Sequence, residues 1–171
     1  MKVSSTAFRS PDRNTCDLKT DPESIQAVFR EKGLGTSNAP RIAMFTERDD
    51  PETYAIIGAA MAVHSKLRNG FLEKVYRVAL PIEFGRRKIP FVAEAPLPVY
   101  YDGELLPVTY RVDFVCFKDV IVECKAAALL TTVDEAQVIN YLRASNRHRG
   151  LLVNFGAPSL QYRRLAWGNP T

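Results

Sequence analysis

The chain has 171 residues, 46% of them hydrophobic, enough for one domain with a sizeable core, and 23 Lys+Arg against 19 Asp+Glu give a formal net charge of +4. This mildly basic balance permits a nucleic-acid partner without demanding one, because a solvated basic surface is the commoner cause. No apolar run approaches a membrane span, the N-terminus lacks the apolar core of a signal peptide, and Cys16, Cys116 and Cys124 form no CxxC pair or zinc-like spacing. The expectation is a cytoplasmic protein with no membrane partner, in which Cys116 and Cys124 are small core residues kept reduced.

Residues 1–48 are polar, punctuated by Pro and Gly, and read as a poorly ordered N-terminal extension. Within it a short helix is expected around Pro22–Gly33, capped by Asp21, and Met44 stands beside Met1 as an alternative start. The domain proper, residues 49–171, opens at "DDPETYAIIGAAMAVHSKLRNG", where Asp50 supplies an N-cap and Pro51 the first helical position. Ile57, Ala60, Met61, His64 and Leu67 follow at helical spacing. After Asn69-Gly70 the helical period resumes through Phe71, Leu72, Val75, Tyr76, Ala79 and Leu80, and Pro81 is expected to kink or end that helix.

Strand-like runs come next: "IPFVAEA", then "LPVYY" closed by the hairpin signal Asp102-Gly103, then "LPVTYRVDFVCF" and "VIVECKA". Thr132-Val133-Asp134-Glu135 reads as a capping box opening a helix that Gly150 would end. "LLVNFG" and "YRRLAW" close the chain as strands. This order of helices, strands, helix and strand pair predicts an α+β or three-layer α/β domain.

Charge inside the two central strand runs is costly, yet Asp113, Glu123 and Lys125 stand there. Strand alternation puts Glu123 and Lys125 on one face. A two-residue turn at Lys118-Asp119 would set Asp113 on the other face. A three-residue turn, Phe117 to Asp119, with Asp119 in the left-handed conformation, or a bulge of matching parity, would set Asp113 opposite Glu123, with Cβ atoms about 4.5–5.5 Å apart. Two carboxylates so placed suit a divalent cation, Mg²⁺ or Mn²⁺, with the backbone carbonyl of Cys124 as a further oxygen ligand and Lys125 beside a metal-activated water. On spacing alone the alternative is a wet strand face on which Lys125 neutralises Glu123, since D-x9-E-x-K is a short pattern.

On the helices, Gln137 and Tyr141 share a face and could bond a phosphate or orient a catalytic group. A solvent-facing Gln beside a half-buried Tyr is the plain alternative. Glu73 and Tyr76 are likewise neighbours, and the apolar residues around Glu73 make it a candidate third inward carboxylate. His64 reads as a hydrogen-bonded core histidine rather than a ligand, and Glu94 is a weaker acidic candidate.

Taken together, "HSKLRNGFLEKVYRVAL" and "VDFVCFKDVIVECKAAALLTTVDEAQVINYLRASNRHRGLLVNFG" resemble the GxxExxY proteins, with Gly70, Glu73 and Tyr76 as the namesake residues. That family is assigned to the PD-(D/E)XK nuclease superfamily, and the resemblance runs from about Asp50 to Trp167. It implies a restriction-endonuclease-like core, a mixed β-sheet flanked by helices. It further implies that Asp113 and Glu123 are metal ligands, with Glu73 the first-helix acid and a further candidate ligand. Lys125 stands beside the attacking water, and Gln137 and Tyr141 match the QxxxY motif of the RecB-like branch.

Three departures mark this chain: Arg68 where the family pattern leads us to expect glycine, Pro81 within the second helix, and Arg111-Val112 before Asp113 in place of the namesake proline. The implied activity is Mg²⁺- or Mn²⁺-dependent phosphodiester hydrolysis, in DNA ahead of RNA, with Lys66, Arg68, Lys74, Arg147, Arg149, Arg163 and Arg164 available to the backbone. The alternatives are a catalytically silent module of the same fold that binds nucleic acid or a protein, and a purely structural oligomer.

Overall fold

The computed structural model of the chain describes residues 50–168, all within one compact unit, Leu34–Thr171. The expected N-terminal extension, its short helix at 22–33, Cys16 and the choice between Met1 and Met44 lie outside the described residues. No helix among the described residues is long and apolar enough to cross a membrane.

Helix α1, Pro51–Leu67, begins as its sequence signals predict: the Asp50 carboxylate accepts the Thr53 N–H at 3.0 Å and Pro51 opens the helix. Ile56, Ile57, Ala59, Ala60 and Val63 form its buried stripe, while Met61, expected on that stripe, is 57% exposed. His64 is a buried core histidine, as expected, with Nε2 3.0 Å from the Ala157 carbonyl.

The joint to α2, Glu73–Arg86, uses two left-handed residues, Arg68 at φ 60° and Gly70 at φ 110°. Tyr76 spans it: its hydroxyl donates to the Arg68 carbonyl at 2.7 Å and accepts the Phe71 N–H at 3.2 Å. Phe71 and Leu72 therefore precede the helix instead of opening it. Pro81 does not end α2. Its ring forfeits the bond to the Arg77 carbonyl, but Tyr76, Leu80 and Phe84, all fully buried, anchor the helix on both sides of it.

Five strands follow: β1 Phe91–Tyr101, β2 Glu104–Cys116, β3 Val120–Lys125, β4 Arg149–Asn154 and β5 Gln161–Ala166, hydrogen-bonded in the order β1-β2-β3-β4-β5. All neighbours are antiparallel except β3 and β4, which run parallel and are joined through α3, Thr132–Ser145. β1 tolerates Pro96 and Pro98 because it is an edge strand. The sheet is thus mixed and flanked by helices. One core packs Ile56, Tyr76, Leu80, Phe84, Val122 and Cys124 between the sheet and α1–α2. The other packs Val112, Ile121, Val138, Leu142 and Leu152 between the sheet and α3.

Two boundary signals shift. The capping box at α3 uses Thr131 and Asp134, not Thr132 and Glu135; Asp134 Oδ2 takes both the N–H and the hydroxyl of Thr131. The helix ends on left-handed Asn146, not on Gly150. Gly150 instead lies in β4 beneath α3, where a Cβ would stand 2.6 Å from Val138 Cγ1. Cys116 and Cys124 are buried free thiols, and burial pushes Cys116 up to about 12.

Candidate active site

The register of the two central strands brings the charged residues close together. Pairing runs Cys116↔Val120, Val115↔Ile121 and Phe114↔Val122 and stops there, with Asp113 and Glu123 the next residue on each strand. The connection is the three-residue one, but its left-handed residues are Phe117 at φ 50° and Lys118 at φ 69°, not Asp119. The Phe117 N–H is held by the Pro90 carbonyl at 3.0 Å, and the Asp119 N–H returns to the Cys116 carbonyl at 3.2 Å. The contact with Pro90, just before β1, and the bond within the turn, not the propensity of Asp119, fix the bend.

Where the backbone ladder of β2 and β3 stops, Asp113 takes over. Its Oδ2 accepts the Cys124 N–H at 2.8 Å, and its Oδ1 lies 2.7 Å from Arg77 Nε. Asp113 and Glu123 are 7% and 6% exposed. Burial raises both acids; for Glu123, burial and then the charge of Asp113 carry it to about 7. Glu123 Oε1 accepts bonds from Lys125 at 3.2 Å and from the Gln137 amide at 3.1 Å. Its Oε2 is buried with no hydrogen-bond partner among the described residues.

Lys125 projects from the same side as Glu123 and donates to Gln137 Oε1 at 2.9 Å, with Asp134 Oδ1 at 4.0 Å. Desolvation pulls the ammonium down, but Glu123, Glu73 and Asp134 outweigh it and hold Lys125 above the ordinary lysine value. The group is a cation. Gln137 also donates to the Tyr141 hydroxyl at 2.6 Å, so the expected pair on α3 forms one chain with Lys125 and Glu123. Burial raises the Tyr141 hydroxyl, which keeps it protonated.

The chain just beyond Lys125 is clamped by β4 and the turn after it. Phe155 N–H donates to the Lys125 carbonyl at 2.8 Å. Asn154, fully buried, accepts from the Ala127 N–H at 3.0 Å and donates to its carbonyl at 2.8 Å. Gly156 packs so closely on Ala126 and Ala127 that a Cβ there would overlap their backbone.

From the opposite helical layer, α2 presents Glu73 and, one turn on, Arg77. The charge of Glu73 is felt at Glu123, Cys124 and Lys125. Arg77 was not anticipated from the sequence, although its position four after Glu73 was the available signal. Asp134 was seen only as a capping residue, and its proximity to Lys125 adds a second role. Glu94, expected in a buried run, has a 60% exposed side chain and binds Arg77 and Arg111 instead.

The expected basic set does not gather at the site. Arg149 bridges Asp50, Glu52 and Asp119, a structural network. Lys66 is held by Glu83 at 2.6 Å, and Arg163 faces Glu135 at 3.6 Å. Lys74 does belong to it: with Arg77, Glu94 and Asp113 it lines a cleft of about 420 Å³ beside the carboxylates.

The donors suit a hard divalent cation. They are carboxylate and main-chain oxygens, and one carboxylate oxygen is buried without a partner. Among the described residues no three His, Cys, Asp or Glu side chains are grouped as a ready-made cage; the buried carboxylates here are Asp113 and Glu123, with the charge of Glu73 acting on Glu123.

Comparison with the curated proteins gives no significant match. Among solved structures, the crystal structure of SSO0001 is similar with a TM-score of 0.45 and 14% identity over 72% of this chain. The chain spans 62% of the length of that structure. Residues 50–165 match the model of the PD-(D/E)XK nuclease superfamily, whose members generally use divalent metals and act on nucleic acid. The chain therefore belongs to the PD-(D/E)XK nuclease superfamily.

Proposed function

We propose that the protein is a metal-dependent nuclease of the GxxExxY type that hydrolyses phosphodiester bonds in DNA, with Mg²⁺ or Mn²⁺ as cofactor. The observation that carries this reading is Glu123 Oε2, a buried carboxylate oxygen without a hydrogen-bond partner among the described residues, within reach of the charge of Asp113 and next to a charged lysine. Asp113, Glu123 and the Cys124 carbonyl would hold the ion, with Glu73, whose charge acts on Glu123, as a candidate further ligand. When bound, such an ion polarises the phosphate and lowers the pKa of water.

The remaining work falls to the chain. Lys125, 18% exposed, presents its ammonium to the attacking water and to charge developing on the phosphoryl oxygens. Gln137 fixes that ammonium through its carbonyl and Glu123 through its amide, and Tyr141 fixes Gln137. A protein-binding or nucleic-acid-binding module without turnover is the second reading, favoured by the Arg77 contact that already neutralises Asp113.

The test is cleavage of labelled single-stranded DNA, double-stranded DNA and RNA in Mg²⁺, Mn²⁺ or EDTA, by wild type and by Asp113→Ala. Metal-dependent cleavage of DNA that the folded variant lacks supports the nuclease. Binding of DNA with no cleavage in any metal supports the silent module.

A further inference from the structure

The Asp113 carboxylate has both oxygens committed within the protein. Oδ2 is held by the Cys124 N–H, a main-chain donor that cannot leave without unpicking β3, whereas Oδ1 is held by the Arg77 side chain at 2.7 Å. The two partners are therefore unequal. A cation at Asp113 competes with Arg77 and not with Cys124. Arg77 is also the more accessible partner: its side chain is 30% exposed, it comes from the adjacent helix, and its other nitrogen reaches Glu94 at 3.2 Å. It opens on the cleft it lines with Lys74.

The charge at the site gives the exchange its direction. Glu73, Glu94, Asp113, Glu123 and Asp134 bring five carboxylates to the region of four cations, Lys74, Arg77, Arg111 and Lys125. A divalent ion relieves that excess, and once it neutralises Asp113 the guanidinium loses its strongest partner. The guanidinium keeps Glu94 on its other nitrogen at 3.2 Å, and the N–H released from Asp113 opens on the cleft shared with Lys74, where a phosphate can accept it.

We propose that Arg77 is a positioning residue that occupies Asp113 in the ion-free protein and, displaced by the divalent ion, binds a phosphate of the nucleic acid in the Lys74–Arg77 cleft. This rests on the metal-site reading given above. It predicts opposite effects of one substitution on two ligands. Removing Arg77 frees Asp113 for the ion and removes a contact to the strand.

The experiment is calorimetric titration of Mn²⁺ into wild type, Arg77→Gln, Arg77→Lys and Glu123→Gln. It is followed by binding of a labelled DNA oligonucleotide in saturating Ca²⁺, used as a non-cleaving ion, over a range of salt. Melting curves establish that each variant is folded. Arg77→Gln is expected to bind Mn²⁺ about tenfold more tightly, the loss of a competing charge-assisted hydrogen bond. It should also bind the oligonucleotide more weakly, with a salt slope reduced by roughly one. Arg77→Lys should retain that slope.

Mn²⁺ affinity unchanged or weakened in Arg77→Gln, while Glu123→Gln abolishes binding, overturns the role of Arg77 alone. Mn²⁺ binding that is absent from wild type, or indifferent to Glu123→Gln, overturns the metal site and this inference with it. A merely structural Arg77 would lose both ligands together, which also overturns it.

Discussion

Glu123 is the residue on which sequence, burial and chemistry meet. Its folded-state value of about 7 lies above the ordinary 4.5 because burial and Asp113 penalise the charged form. Folding thus favours its protonated state. The stability it contributes is fully present below about pH 4.5 and is lost as pH rises through about 7, a change of about 3 kcal/mol at most. Without divalent ions, wild type should lose melting temperature relative to Glu123→Gln between about pH 5 and pH 8. Parallel melting curves of the two proteins in EDTA measure this, and a difference that stays constant with pH contradicts it. The candidates Asp113, Glu123, Lys125, Gln137 and Tyr141 were legible one by one, since charge in a strand and a spaced Gln-Tyr pair leave a mark. Arg77 was not, because an arginine on an amphipathic helix carries no such mark until its partner across the layer is known.

At the scale of elements, the joint between α1 and α2 explains a departure that the sequence could only register. Arg68, where glycine is expected, sits at φ 60° and ψ −171°, a region populated almost entirely by glycine. Tyr76 holds it there by bonding its carbonyl. Arg68→Gly should therefore raise stability by about 1 kcal/mol, readable as an increase in the denaturation midpoint with unchanged slope. Gly150→Ala should act in the other direction. Its Cβ would press on Val138 in the packed α3 face and lower stability by about 1–3 kcal/mol in the same measurement.

The strands, the hairpin at Asp102-Gly103 and the N-cap of α1 were readable from alternation and turn chemistry. The β2–β3 bend was less so, because Phe117 and Lys118 adopt left-handed angles under the pull of Pro90 and the sheet, against their own preference. For the same reason Pro81 does not end α2: the packing of Tyr76, Leu80 and Phe84 overrides what one proline costs.

For the molecule as a whole, the basic residues divide into those that build and those that face the site. Arg149 ties the start of α1, through Asp50 and Glu52, to Asp119 at the head of β3. Arg149→Ala should cost about 2 kcal/mol in chemical denaturation, because it leaves the buried Asp50 carboxylate with the Thr53 N–H but without the Arg149 cation, while leaving the salt slope of DNA binding unchanged. A reduced slope would return Arg149 to the nucleic-acid surface. Net charge alone could not make this division, since it counts structural and exposed cations alike.

The architecture, by contrast, brings α2 and α3 from opposite layers onto one end of β3. Glu73 and Arg77 meet Asp113 and Glu123 there, with Lys125, Gln137 and Tyr141 beside them. That convergence is the central claim, and Lys125 tests it most directly, because its alanine variant removes the proposed chemistry while leaving both carboxylates in place. The measurement is the single-turnover cleavage rate of labelled DNA in Mg²⁺ for wild type and Lys125→Ala, each shown by melting to be folded. A fall of about 10²–10³-fold or more is predicted, and a rate within a few-fold of wild type would contradict the account.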